Sequence, residues 1–216
     1  MLTTADALAI HQGPLFAASA GELARVCREA WQQHLVSGCN SNANCRLSAP
    51  HAGLLCVTAS GSAKGRLTPA HCCLVEADSG CHLAGAKPSS ELGLHLALYA
   101  ALPHCAAVLH THPRHLLALS LTLCEEADFL RLPLFEADVW RAKLAFVPAL
   151  PPGGQELAQA CATAALSLPG TDAGAVWLAG HGLCCFGPDV DTALCMSEEL
   201  EHLAAVQLLA AGAKSH

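Results

Sequence analysis

Charge and aromatic rings are both scarce in this chain. Of 216 residues only 13% are charged and 4% aromatic, against 53% hydrophobic. So little charge excludes a solvated, disordered polymer and fits a compact domain, or a protomer that buries surface against copies of itself. Cations are outnumbered, with 11 Lys and Arg against 18 Asp and Glu, a formal net charge of −7. That balance argues against a nucleic-acid or anionic-membrane partner, so an anionic ligand has to be held by local donors. No apolar run approaches the ~20 residues that span a bilayer. The stretch MLTTADALAIHQGPLF carries Asp6 and lacks the basic flank of a secretion signal. The 13 cysteines are odd in number and include no C-x-x-C pair, which weakens disulfide-framework, zinc-ribbon and thioredoxin readings. Most of them are expected to be small buried hydrophobes in a cytoplasmic protein. With no repeat, low-complexity segment or linker in the chain, a single domain over residues 1–216 is expected.

The patterns that are present alternate between helix and strand. Residues 21–35 place Leu23, Val26, Cys27, Ala30 and Trp31 at helical spacing. The Ser- and Asn-rich stretch SGCNSNANCRLS reads as a loop. GLLCVTASG and HCCLVEAD read as strands, the first entering a turn at Ser60 and Gly61. PSSELGLHLALYAALP reads as a helix with serines at its cap and Glu91 in its first turn. AAVLHTH is a strand ended by Pro113, GGQELAQACATAALSLP a helix, and AGAVWLAGHGLCCFG a strand with a glycine-rich tip at 180–182. A long helix follows Pro188. This alternation predicts an α/β fold.

Polar residues gather where apolar runs end. His110 and His112 are two apart, so in an extended strand their side chains share a face. Such a pair can close on a divalent ion, or it can be two surface histidines beside a turn. His181 lies between two glycines, which let backbone and ligand approach closely. Three histidines with an open position make the arrangement of a catalytic metal. In KPSSE, two hydroxyls and the free N–H groups of a helix start can cradle an anion, or simply cap a helix.

Taken in order, S-N-x-N-x-R at 41–46, T-A-S-G at 58–61, P-S-S-E at 88–91, H-T-H-P at 110–113 and G-H-G at 180–182 closely resemble the class II aldolase/adducin family. The resemblance implies a three-layer α/β/α fold, with a central, mostly antiparallel sheet, in a homotetramer. It implies a divalent metal, Zn2+ with Mn2+ or Co2+ as alternatives, held by His110, His112 and His181. Asn42, Ser60, Gly61, Ser89 and Ser90 match the family's phosphate-binding positions, and Glu91 matches its acid–base residue. SGSAKGRLTP, KPSSE and GHGLCCFG look nearest to members that act on 5-deoxy- or 5-methylthio-ribulose 1-phosphate. The implied reaction is metal-dependent aldol cleavage to dihydroxyacetone phosphate and a short aldehyde. The alternative is methylthioribulose-1-phosphate dehydration by the same metal and glutamate; an epimerase or an adducin-like binding protein stands further off.

The chain also departs from the family pattern. Ser41 and Asn44 replace a glycine and a serine of the first motif, where Asn44 would have to supply the phosphate contact. Family aldolases use a tyrosine as proton donor, whereas this chain's single tyrosine, Tyr99, falls inside a helix and is expected to pack in the core. Glu136, Asp138, Trp140 or water would have to replace it. An apolar aldehyde pocket is expected from Phe129, Phe135, Val139 and Trp140.

Overall fold

The computed structural model describes residues 2–122, 126–170 and 172–213. Eight strands form one sheet in the order β4-β3-β2-β1-β5-β8-β7-β6. They are β1 (Asn42–Arg46), β2 (Leu54–Thr58), β3 (Cys72–Glu76), β4 (His82–Gly85), β5 (Ala107–Thr111), β6 (Leu144–Val147), β7 (Gly174–Leu178) and β8 (Gly182–Gly187). Every neighbouring pair is antiparallel except β6 with β7. Helices cover both faces, because the inner strands bury side chains on both sides and need apolar cover on each. On one face, α1 (Thr4–His11), α2 (Pro14–Gln32), α4 (Arg114–Thr122), α5 (Phe135–Arg141) and α7 (Val190–Ala213) enclose one hydrophobic cluster. On the other, α3 (Leu92–Ala101) and α6 (Gln155–Leu166) enclose a second. The fold is therefore the expected three-layer α/β/α sandwich with a mostly antiparallel sheet.

Local chemistry accounts for the elements that matter below. Pro14 opens α2, its fixed φ suiting the first helical position, and the helix buries Phe16, Ala20, Leu23, Ala24, Val26, Cys27 and Ala30. Eight cysteines are buried among the described residues, and every cysteine described is a free thiol. No described helix is long and apolar enough to cross a membrane.

Three expectations need correction. The stretch read as a loop at 37–48 contains β1, whose only apolar residues, Ala43 and Cys45, are small and alternate with Asn42, Asn44 and Arg46, too faint a pattern to stand out. The strand is nevertheless buried between β2 and β5, because its asparagines find partners there instead of water. The segment 174–187 is two strands rather than one. They turn at Ala179–His181, where Gly180 takes a left-handed φ of 67° and the His181 N–H donates to the Leu178 carbonyl at 3.0 Å. Finally, α3 begins at Leu92, so Glu91 is the residue preceding the first turn, and Ser89 lies outside the helix with its Oγ 3.3 Å from the Glu91 N–H.

Candidate metal centre and anion cavity

The histidines meet because three elements end at one place. On β5, His110 lies opposite Asn42 of β1 and Cys184 of β8, so Asn42 and His110 project from the same face. His112 follows the end of β5, pinned by its N–H donating to the Leu35 carbonyl at 2.8 Å. His181 is carried by the β7–β8 turn. The ring centroids stand 4.6, 4.7 and 5.5 Å apart. One nitrogen from each ring lies within 4.8 Å of the others.

The close approach depends on Gly182. A β-carbon there would sit 2.5 Å from the Thr111 carbonyl oxygen, 2.9 Å from His112 and 3.2 Å from His110. Backbone cannot yield cheaply, so Gly182→Ala is expected to cost ~1–3 kcal/mol of stability through overpacking. It should also spread the histidines and weaken their hold on a divalent ion ~10–100-fold, the range seen when a ligand's support is lost. Thermal unfolding and zinc titration of that variant check both numbers.

The nitrogens suit a cation. Nε2 of His110 and Nε2 of His181 face each other at 3.3 Å, a separation that needs a proton or an ion between them. Nδ1 of His110 donates to the Leu183 carbonyl at 3.0 Å, which leaves its Nε2 as a free lone pair. Nδ1 of His112 and of His181 are buried without a hydrogen-bond partner among the described residues. Burial, followed by the neighbouring His112, holds His110 well below the usual histidine range, against the pull of Glu91. Burial and His181 bring His112 down to about 4. Neutral imidazoles at physiological pH are ready ligands, so this set fits a divalent ion such as zinc.

Glu91 borders the triad. Its Oε1 is 3.1 Å from Nε2 of His181 and its Oε2 is 3.5 Å from Nε2 of His110. Asn42 Nδ2 donates to the same Oε2 at 2.9 Å. Burial would raise the carboxyl, but His181 beside it and the charge it feels from His110 outweigh that and hold it down to about 2. In the ligand-free chain it is a carboxylate.

On the far side of Glu91 lies a cavity of about 240 Å³. Asn42, Ser60, Gly61, Ser89, Ser90 and Glu91 all line it, as does His112. The two serine segments are joined by a bridge between Ala59 and Pro88 and by the Ser60 N–H donating to the Lys87 carbonyl at 2.9 Å. Gly61 has a φ of 70°, which turns the loop out of β2 toward the cavity. Cys39, Asn40 and Ser41 also line it, so the loop before β1 takes part.

Asn44 does not line the cavity: it shares a face with Asn42 but lies two residues further along β1, opposite Val108 and away from His110, in a buried cluster behind Glu91. There Tyr99 OH donates to Asn44 Oδ1 at 2.6 Å, and Asn44 Nδ2 donates to His95 Nδ1 at 2.5 Å. Tyr99 is a core residue, as expected. His95, one helical turn beyond Glu91 in E-L-G-L-H, was legible from that i,i+4 spacing but not singled out. Its Nε2 is buried without a partner among the described residues, and burial brings the ring down to about 4 from 6.5.

A base whose folded pKa is depressed takes up protons preferentially when unfolded. His95 therefore withdraws up to ~3 kcal/mol of stability as pH falls from 6.5 to 4. Urea unfolding at pH 7 and pH 4 should show this loss, and His95→Gln should lessen it. Equal losses in both proteins would refute the assignment.

The expected apolar pocket is not assembled. Phe135 is 97% and Val139 56% exposed on α5, while Phe129 is core. Phe129 does help line a different cavity, of about 490 Å³, with Phe146, Trp177, Ala179 and Gly180, next in sequence to His181. Glu136 and Asp138 are exposed on α5 and Trp140 is half-buried; none of the three lines the 240 Å³ cavity.

Fold and site together define a class of protein: a three-layer α/β/α sandwich with a three-histidine centre and a glutamate at the mouth of a serine-lined cavity. Comparison with known families is specific on this point. The chain belongs to the Class II Aldolase and Adducin N-terminal domain family, which it matches over residues 21–208. It is 35% identical over 184 residues to 3-oxo-tetronate 4-phosphate decarboxylase of Escherichia coli strain K12, covering 85% of this chain and 82% of that one. It is 33% identical over 162 residues to methylthioribulose-1-phosphate dehydratase of Gluconacetobacter diazotrophicus, covering 72% and 77%. Among solved structures, a sugar-phosphate aldolase from Thermotoga maritima superposes with a TM-score of 0.80 at 25% identity, over 90% of this chain and 95% of that one.

Proposed function

We propose that the chain is a divalent-metal-dependent carbon–carbon lyase for small phosphorylated keto compounds. The observation that carries this is the position of Glu91, in contact with His110 and His181 on one side and lining the serine cavity on the other. A 3-oxo-tetronate 4-phosphate and a ketose 1-phosphate share one substructure, phosphate–CH2–C(=O)–CH(OH)–X. Breaking the bond to X leaves the same enediolate, which becomes dihydroxyacetone phosphate on protonation.

The roles follow from position. Ser60, Gly61, Ser89, Ser90 and Asn42 hold the phosphate, so binding energy at that end fixes the carbon that reacts. His110, His112 and His181 hold the ion, which supplies Lewis acidity for the negative charge developing on the substrate oxygens. Glu91 is a carboxylate at rest. Enediolate charge arriving beside it raises its proton affinity, so it takes a proton from solvent and delivers it to the enediolate carbon. Asn42 holds that carboxylate in register through its 2.9 Å hydrogen bond.

The leaving group is carbon dioxide in the reading we favour. An aldehyde leaves only after its hydroxyl has lost a proton, and the chain's one tyrosine is 3% exposed and bonded to Asn44. Loss of carbon dioxide from a 3-oxo acid needs no such group. Aldol cleavage is the second reading, favoured by the 490 Å³ cavity, whose aromatic lining would suit a deoxy or methylthio tail.

The test is a product assay on purified, zinc-loaded protein given 3-oxo-tetronate 4-phosphate and, separately, 5-deoxyribulose 1-phosphate. Dihydroxyacetone phosphate is followed by coupled reduction and carbon dioxide by trapping. Both products from the first substrate alone are expected. Dihydroxyacetone phosphate from the second alone would establish aldol cleavage in place of decarboxylation. A dehydrated diketone, or no turnover of either, would refute the lyase reading.

A further inference from the structure

Lys64 is 1% exposed, a rare burial for a lysine. Its Nζ donates to the Ser62 carbonyl at 2.7 Å and to Ser62 Oγ at 3.3 Å. No carboxylate pairs with it among the described residues. A buried ammonium without a counter-ion is costly, and neutral oxygens offset that only in part. Desolvation accordingly draws its pKa below the ordinary 10.5.

Its place explains why the charge is kept. Ser62 follows the Ser60–Gly61 turn directly, and its Oγ donates back to the Ala59 carbonyl at 2.7 Å. The Lys64 N–H donates to the Gly38 carbonyl at 3.0 Å, next to Cys39 and Asn40. The lysine thus ties together two of the loops that wall the 240 Å³ cavity. Among the described residues lining that cavity there is no lysine or arginine, and one carboxylate, Glu91, faces into it.

We infer that Lys64 is the buried counter-charge of the anion cavity: a positioning residue that attracts a phosphate from behind the Ser60–Ser62 loop without touching it. The inference rests on the phosphate reading of that cavity. Charge acting through a dry loop is screened far less than charge across water. One buried cation there can do the work that surface arginines do elsewhere, in a chain of net negative charge.

The experiment is calorimetric titration of zinc-loaded protein with inorganic phosphate, alongside thermal unfolding of the ligand-free forms and zinc titration. Wild type is expected to bind, and Ser89→Ala to bind more weakly. If wild type does not bind, or Ser89→Ala changes nothing, the phosphate reading fails and takes this inference with it. Lys64→Met is expected to weaken phosphate binding roughly ten-fold or more. It should leave zinc affinity unchanged and thermal stability equal or higher, since an apolar chain of similar length replaces a desolvated charge. Lys64→Gln keeps an N–H donor for Ser62 but not the charge, and is expected to behave like Lys64→Met. Three results would each overturn the inference: phosphate affinity in Lys64→Met equal to wild type, affinity restored in Lys64→Gln, or loss of affinity accompanied by a fall in stability. The last two would make Lys64 a strap for the loops.

Discussion

Glu91→Gln is expected to lower turnover at saturating substrate by ~10²–10⁴-fold, the range that one positioned acid–base group supplies. The protein should otherwise be nearly intact. In the ion-free protein a glutamine carbonyl can still accept from Asn42 Nδ2 and its amide can donate toward His181 Nε2, so the contacts at 2.9 and 3.1 Å both keep partners. Zinc and phosphate binding should survive, because neither the histidines nor the serines are touched. The expected signature is a fall in kcat with little change in KM, which marks a group that acts after binding. Steady-state kinetics and zinc analysis on the same preparation decide the matter. Turnover within ten-fold of wild type would mean that the proton comes from elsewhere, and the role given to Glu91 would have to be abandoned.

What was legible in the sequence follows from where each signal comes from. Strands with both faces buried, such as LLCVT and AVLHT, and helices with apolar spacing announce themselves through composition and period. β1 does not, because Asn42 and Asn44 are buried by virtue of partners 49 and 51 residues away, and no local pattern encodes those partners. The same distance effect explains Asn44: the motif gave its position, but two residues beyond Asn42 on the same face of β1 it meets Tyr99 and His95 instead of the cavity. The ordered motifs located His110, His112, His181 and Glu91, and the fold brings those four together. Phe135 and Val139 show the limit in the other direction. Their i,i+4 spacing marks an apolar stripe on α5, but which surface the stripe faces is decided by tertiary packing. Lys64 lies within SGSAKGRLTP, but its role was not legible there, because burial of a lysine is visible only once the loops around it are folded.

Replacing His110 by alanine is expected to abolish both zinc binding and turnover. Of the three histidines it is the most deeply buried, and its Nδ1 donates to Leu183, which leaves Nε2 fixed toward the centre of the triad. The loss of zinc affinity should exceed the ~10–100-fold typical of a residue that only orients a ligand. A ligand that binds only the folded form raises its stability by mass action, so on the proposed reading wild type should unfold at a higher temperature as free zinc increases. That increase should vanish in His110→Ala. Because deleting a core ring also leaves a void, the half-buried His112→Ala should be measured beside it; it loses the same zinc response with less damage to the ligand-free protein. His115→Ala is the informative control. It ends the same H-T-H-P-R-H run, yet it sits in the first turn of α4 with its Nδ1 2.9 Å from Glu201 of α7, away from the triad. It should keep the full zinc response. If His115→Ala lost zinc and His112→Ala kept it, the ligands would be a different set of histidines and the centre described between β5 and the β7–β8 turn would be wrong. If all three variants kept zinc, the triad would not be a zinc site, and the carboxylate chemistry assigned to Glu91 would have to proceed from Asn42 and the serine cavity alone.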